Sequence, residues 1–397
     1  MPAPRRKIKA GIIGLGLMGR ELASATARWC HLLNLDFEPV ITAIGDTNPA
    51  LFDWFEQNFS TIRLKTTDYH DLLSSPDVEA IYCAVPHNLH AQFYVDIIQS
   101  GKHLLGEKPF GIDLEANRQI LDAVAANPHV VVACSSEFPF FPAAQRIVGY
   151  IHQKRFGRII EVGSGLLHSS DLDPNKKINW KRMVEINGEY GCMGDLGMHA
   201  LHIPLRMGWL PENVRALLRK IVTERPNAQG EMAPCRTWDN ATLACDVNTG
   251  DQHFPMTIQT YRIAPGETNT WYLRILGTEF SVEYTTKYPK TLRTMDYEPG
   301  REQAWQAVDL GYETAYPTIT GGIFEFGFSD SLLQMWAAFM DQVANGRDGM
   351  TQPFYCATPE ETHQQHLLLT AALESGRASR VVRVAGIESR LDLSGGI

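Results

Sequence analysis

Residues 14–19 read Gly14-Leu15-Gly16-Leu17-Met18-Gly19, a G-x-G-x-x-G that follows the apolar run Lys9 to Ile13 and opens a stretch with helical spacing from Met18 to Leu33. The first glycine of such a turn permits a tight reversal, the second lets backbone approach a pyrophosphate, and the third lets helix and strand pack closely. The helix N-terminus then faces the anion. Any tight strand-to-helix turn can use glycines, so it is the position between strand and helix that makes Gly14, Gly16, Leu17, Met18 and Gly19 a dinucleotide-binding element.

The rest of the first third alternates in the same way. Strand patterns at Val40 to Gly45, Ala80 to Ala84, His103 to Leu105 and Val130 to Cys134 are separated by helical patterns at Ala50 to Asn58, His90 to Ser100 and Leu114 to Ala126. Parallel strands with crossover helices are the economical reading, closing a first domain at residues 1–140. Beyond Pro142 a helical pattern from Ala143 to Gln153 leads to Arg158 to Gly165, and strand-like runs follow at Thr242 to Val247, Met256 to Arg262, Trp271 to Leu276 and Phe280 to Thr285. With late helices at Ser331 to Ala344 and Glu360 to Ser375, residues 141–397 read as an α+β domain with an antiparallel or mixed sheet. Length supports this division, since 397 residues exceed a single average domain. The formal charge of −9 argues against a nucleic-acid partner. Seven cysteines without a CxxC pair fit a reducing cytoplasm. Arg5, Arg6 and Lys7 before an apolar run imitate a secretory leader, but four glycines in that run weaken the helix a leader needs. No stretch has the ~18 uninterrupted apolar residues of a membrane span.

Asp46 ends the second strand pattern, where a carboxylate accepts hydrogen bonds from ribose hydroxyls and repels a 2′-phosphate, so NAD is expected over NADP. The alternative is a turn aspartate in Gly45-Asp46-Thr47-Asn48-Pro49. The fourth strand runs into Glu107-Lys108-Pro109, and an X-Pro bond, cis at modest cost, would aim Lys108 off the strand end where ligands of open α/β sheets bind. A surface turn lysine is the bland alternative. Asp195 and His199 lie four apart in Gly191 to His202, on one helical face, where a carboxylate can orient a histidine that takes a hydroxyl proton. A helix-capping aspartate beside a packed histidine explains that spacing equally well. A metal on His199 and His202 lacks the further ligands a zinc motif requires, so none is expected. His363 and His366 read as solvated.

Four segments together, Gly14 to Gly19, Cys83-Ala84-Val85-Pro86-His87-Asn88-Leu89-His90, Gly101 to Pro109, and Asp195 to His199, resemble the glucose-fructose oxidoreductase, inositol dehydrogenase and rhizopine-catabolism (Gfo/Idh/MocA) family in order and spacing over nearly the whole chain. The resemblance implies an α/β protein: an N-terminal Rossmann domain, then a C-terminal α+β domain whose large, open, mostly antiparallel sheet makes the contacts of a homodimer or homotetramer. It implies Lys108 as catalytic lysine, His199 as acid/base and Asp195 as its partner. Pro86, His87, Asn88, His90 and Glu107 would line NAD, and Trp180 would stack over it or pack in the core.

Two departures from the family pattern, His202 and Glu137, are expected to touch substrate. Lys176, Lys177, Lys181 and Arg182 precede the catalytic element and suit either an anionic sugar or a solvated loop. Three functions are open. The first is an NAD-dependent sugar or polyol dehydrogenase. The second is a redox-assisted glycoside hydrolase that oxidises, eliminates, hydrates and reduces with retained NADH. The third is a non-catalytic dinucleotide-binding regulator, against which the joint presence of Lys108, Asp195 and His199 argues.

Overall fold

A computed structural model describes residues 5–310 and 314–387, and it divides into two compact units. The first comprises Met1–Gly111, Ala116–Pro142 and Gly311–Pro359, and the second Ile112–Glu115, Ala143–Leu310 and Glu360–Ile397.

In the first unit, strands β1 (Arg6–Ile13), β2 (Phe37–Gly45), β3 (Leu64–Thr66), β4 (Ala80–Cys83), β5 (His103–Gly106) and β6 (Val132–Cys134) form one sheet in the order β3-β2-β1-β4-β5-β6. Every pairing is parallel. The chain therefore reverses its direction of travel across the sheet between β1 and β4, the topological switch point at which α/β sheets bind ligands. Helices α1 (Leu17–Ala27), α2 (Phe52–Asn58), α3 (His70–Ser74), α4 (His90–Gln99) and α5 (Leu114–Ala126) supply the crossovers. The apolar residues of β1 and β4, including Ile8, Ile12, Ile81 and Tyr82, are wholly buried, as strands covered on both faces must be.

The second unit begins with α6 (Pro142–His152) and β7 (Ile159–Leu167), followed by α7 (Val184–Asn187) and α8 (Cys192–Arg206). Then come β8 (Pro211–Arg219), the small hairpin of β9 (Glu224–Pro226) and β10 (Met232–Pro234), β11 (Asn240–Asn248), β12 (His253–Tyr261), β13 (Thr270–Gly277), β14 (Phe280–Thr285), β15 (Thr291–Asp296) and β16 (Gln306–Asp309). With β17 (Val382–Arg383), nine strands lie in the order β16-β15-β14-β13-β7-β12-β11-β8-β17, antiparallel except for β7 beside β12. Alternation decides which face is covered: Leu243, Cys245 and Val247 of β11 and Phe254, Met256 and Ile258 of β12 are buried, while their sequence neighbours are wetter. α8 packs on β7 and β12, with the Ser164 hydroxyl donating to Ala200 O at 2.7 Å and Trp271 Nε1 to His199 O at 2.8 Å. Every α8 residue from Cys192 to Leu205 is buried, which is why the helix is apolar nearly all round.

The α/β class and both sheets are as the sequence implies. A domain break at residue 140 misses one return of the chain: α9 (Phe328–Asn345) belongs to the first unit, packing on α1 and β2. Arg28 donates to Asp330 at 2.6 Å there, a contact between residues 302 apart that no local pattern signals. Helix α10 (Pro359–Ala378) lies almost wholly in the second unit. Among the described residues no helix is long and apolar enough to cross a membrane.

Gly14 has φ of +88°, and a Cβ there would lie 2.4 Å from Ala84 O. Gly14→Ala should therefore lower stability by at least about 1–3 kcal/mol, the scale of a side chain forced into that region of φ. A urea melt monitored by circular dichroism checks this, with an unchanged midpoint counting against it.

Candidate active site

The glycine turn joins β1 to α1 and is closed on two sides. Gly14 abuts Ala84 at the end of β4, and a Cβ on Gly19 would lie 2.2 Å from Gly14 O. Gly16 differs: a Cβ there would meet nothing within 4 Å, and no side chain caps the helix it begins. An uncapped helix start with open space beside its glycine is what a pyrophosphate requires, so the residues present fit a dinucleotide. Leu17 and Met18 form the first turn, Leu17 being exposed. Asp46 follows β2 and holds the turn in shape, with Leu15 N donating to Oδ2 at 2.8 Å and Asn48 N to Oδ1 at 2.9 Å. It is thus a turn aspartate as well as a ribose candidate, since each carboxylate oxygen keeps a second lone pair.

The next strand ends carry the other cofactor candidates. Pro86 leads into a single turn, His87–Leu89, with His87 buried. His90 opens α4 and is wholly buried, its Nε2 3.1 Å from Val85 O and its Nδ1 accepting from Gly111 N at 3.4 Å. The ring spends both nitrogens on backbone and fixes the segments on either side. Glu107 is buried and accepts from the Tyr82 hydroxyl at 2.6 Å. Burial first, then the charge of Glu107, push the Tyr82 phenol far above its ordinary value, so Tyr82 remains the donor. Lys108, half-buried, stands at the cis bond to Pro109. Beyond β6, Glu137 is 3% exposed, and burial followed by the charge of Glu107 push its carboxyl up to about 8. Ser136 beside it was not singled out from sequence; its hydroxyl is buried without a hydrogen-bond partner among the described residues.

In the second unit Asp195 occupies the first turn of α8, and His199 follows one turn later, both buried. Lys181 Nζ donates to both oxygens of Asp195, at 2.9 and 3.1 Å, and Arg262 pairs with the same carboxylate. Arg262 also donates from Nε to Asp171 at 2.7 Å and from Nη2 to Ser170 at 3.0 Å. Asp171 is met in turn by Arg182 and, at 3.1 Å, by Lys176, while Arg182 Nη1 reaches Asp239 at 2.5 Å. Burial alone would raise the Asp171 carboxyl, but Arg262 and Arg182 overcome that and hold it well below the usual carboxylate range. Trp180 is half-buried, with the Lys181 ammonium 5.5 Å from its ring centroid.

This network corrects the reading of the basic cluster. Arg182 is 0% exposed and cannot meet a substrate acid group. Lys181 and Lys176 pair with Asp195 and Asp171, and Lys176 and Lys177 are the exposed members of the four. Arg262, Asp171 and Asp239 were missed because each is an isolated charge in sequence, 91 residues separating Asp171 from Arg262. His202 is corrected too: wholly buried, it lies 3.0 Å from Arg206 Nη2 and 3.9 Å from Glu361 on α10, inside the core of its own unit. The histidine three residues past His199 points into helix packing because that face of α8 is covered. His366, expected to be solvated, is buried against Tyr190 with ring centroids 5.5 Å apart. No group of three or more metal-ligating side chains exists among the described residues.

The glycine turn and the parallel sheet in its order define a dinucleotide-binding α/β unit. Residues 8–134 match the oxidoreductase family with an NAD-binding Rossmann fold. The N-terminal part of the chain thus carries the NAD-binding domain of the Gfo/Idh/MocA oxidoreductase family. Levoglucosan dehydrogenase from Pseudarthrobacter phenanthrenivorans is 25% identical over 292 residues, 70% of this chain and 74% of that protein. A structure of levoglucosan dehydrogenase with NADH superposes at a TM-score of 0.84, with 23% identity, over 96% of this chain and 99% of that one. An inositol dehydrogenase homologue from Azotobacter vinelandii, solved with NADH and myo-inositol, superposes at 0.76 with 17% identity, over 96% and 98% of the two chains.

Arg182→Ala strips Asp171 and Asp239 of a buried partner and should cost about 3–5 kcal/mol. In the wild type the depressed carboxyl of Asp171 stabilises the fold above its unfolded value near ~3.9, and that contribution is lost as pH falls below it. Melting temperature between pH 3 and 7 should therefore drop on the acid side, with the variant lower at neutral pH. A variant as stable as wild type at pH 7 contradicts the role given to Arg182.

Proposed function

We propose that the chain is an NAD-dependent dehydrogenase acting on an uncharged sugar or polyol, with Lys108, Asp195 and His199 in the active site. The observation that carries this reading is the state of Asp195: a buried carboxylate held ionised by Lys181 and Arg262, one helical turn from a histidine. Asp195, held in place one helical turn before His199, would orient that imidazole, whose neutral form accepts the proton of a substrate hydroxyl. In the first unit, Lys108 is the candidate for an ammonium that stabilises the negative charge growing on a substrate oxygen. When bound, NAD supplies the hydride acceptor. Gly14, Gly16 and Gly19 would hold its pyrophosphate at the start of α1, and Asp46 would accept from the adenosine ribose and oppose a 2′-phosphate. An uncharged substrate is preferred because Arg182 is buried and Lys176 and Lys181 already face carboxylates.

The test is a panel of sugars, polyols and glycosides with NAD, read both at the NADH absorbance and for released aglycone. Net NADH from a sugar or polyol supports the dehydrogenase. Aglycone release without net NADH means the redox-assisted hydrolase instead. On the substrate found, His199→Ala and Lys108→Ala should each lower turnover by about a hundredfold or more. Near-normal rates in both would remove these residues from the chemistry. By calorimetry the wild type should bind NAD more tightly than NADP, and Asp46→Ala should weaken NAD binding. Equal or tighter NADP binding by the wild type would refute the role of Asp46.

A further inference from the structure

The turn that carries Lys108 keeps its backbone in a form that one of its own residues resists. Phe110, two residues on, has φ of +70°, in the left-handed region that a bulky side chain rarely adopts, and it is wholly buried. Gly111 after it, at +120°, has no Cβ to resist. Such a conformation persists at a bulky residue only where the surroundings over-determine it, and the first unit supplies three side chains that fasten this turn. Asn117, on α5 and wholly buried, donates from Nδ2 to Phe110 O at 3.0 Å. The Tyr94 hydroxyl, on α4, donates to Glu107 O at 2.8 Å. His90 Nδ1 accepts from Gly111 N at 3.4 Å.

These contacts lie on both sides of the lysine. Tyr94 fixes the carbonyl just before Lys108, and Asn117 fixes the carbonyl two residues after it. Packing adds to the hold: the Tyr94 and Phe110 ring centroids are 5.0 Å apart, in space that Gly106 leaves open, since a Cβ there would come within 2.7 Å of the first ring and 2.9 Å of the second. Of the three side-chain hydrogen bonds, the one from Asn117 is made on the left-handed residue itself. Helix formation does not ask for an asparagine at that position of α5, where alanine is the better former, so the Phe110 carbonyl is what gives the amide its use.

We propose that Asn117 is a positioning residue for Lys108: its amide, with the Tyr94 phenol, holds the Glu107–Gly111 turn in its left-handed form and thereby sets where the lysine stands. The consequence for turnover rests on the reading of Lys108 as the polarising group. The hold on the turn is measured without substrate, so the two fail separately.

Amide hydrogen exchange of the full chain, read by mass spectrometry, compares wild type with Asn117→Ala and Tyr94→Phe. The second variant loses one hydroxyl, keeps its ring against Phe110, and serves if the first fails to fold. Peptides covering Glu107–Gly111 should exchange about tenfold or more faster in both, with β1 and β2 unchanged. On the substrate found, each variant should lower kcat by about ten- to a hundredfold, the scale of a misplaced reacting group. A residue that acts through Lys108 has nothing left to act on once Lys108 is alanine, so adding either substitution to Lys108→Ala should leave the remaining rate within about twofold. A residue that only supports the fold would lower that rate by the same factor again. Unchanged exchange at 107–111, or a full further loss in the double variant, would overturn the proposal. If Lys108→Ala itself kept a near-normal rate, the catalytic reading of Lys108 would fall, and exchange alone would decide whether Asn117 holds the turn.

Discussion

Two arginines with no exposed surface to speak of, Arg182 and Arg262, hold the site region of the second unit together. Between them they reach Asp171, Asp195 and Asp239, so that one buried chain of charges joins the loop after β7, the turn at residues 180–182, the first turn of α8, the entry to β11 and the residue after β12. Each of those ions taken alone would cost several kcal/mol to bury. The arrangement persists because every carboxylate has at least one cation against it, and Arg225 gives its two Nη groups to the carbonyls of Asp171, Asp173 and Lys176, while Nε of Arg182 and of Arg225 has no hydrogen-bond partner among the described residues. Such a network contributes little net stability compared with a well-packed apolar core, but it is intolerant of rearrangement. What it fixes is the position and charge of Asp195, and through α8 the place of His199 one turn along.

The first unit reaches the same end by different means. Its dinucleotide turn is shaped by what is missing, since the backbone of Ala84 and the Gly14 carbonyl leave no room for a Cβ at Gly14 or Gly19. Asp46 adds the one polar constraint, tying Leu15 within the turn to Asn48 beyond β2. A single carboxylate thereby couples the shape of the phosphate-binding turn to the strand end that would meet the ribose.

Much of this was legible in sequence, for physical reasons that differ from element to element. The glycine turn could be read because its steric demand is local: strand, turn and helix are contiguous, and only glycine satisfies the contacts. Helix α5 and strand β14 were legible to the residue because their apolar periods are clean. Strands β3 and β8 and helix α3 were not, being either very short or broken by charges. Asp195 and His199 stood out through a four-residue spacing, whereas their surroundings did not, because Arg262 reaches Asp195 across 67 residues. The misreading of Arg182 has the same origin. A run of basic residues looks solvated or substrate-facing until the fold supplies buried aspartates from three other segments.

The contrast between the two units explains why their buried carboxyls behave oppositely. Around Asp171, cations outweigh the local negative charge, and the carboxyl is driven down despite full burial. Around Glu137 burial outweighs the opposing pull of Lys108, the charge of Glu107 adds to it, and the carboxyl is pushed up to about 8. Desolvation pushes in the same direction at both places, so it cannot be what distinguishes them. The distinction lies in the charges that act on each carboxyl: Arg262 and Arg182 at Asp171, and a second carboxylate at Glu137. Asp171 is therefore a fixed charge over the whole physiological range, and through Arg262, which it shares with Asp195, it helps to hold that carboxylate one turn before His199.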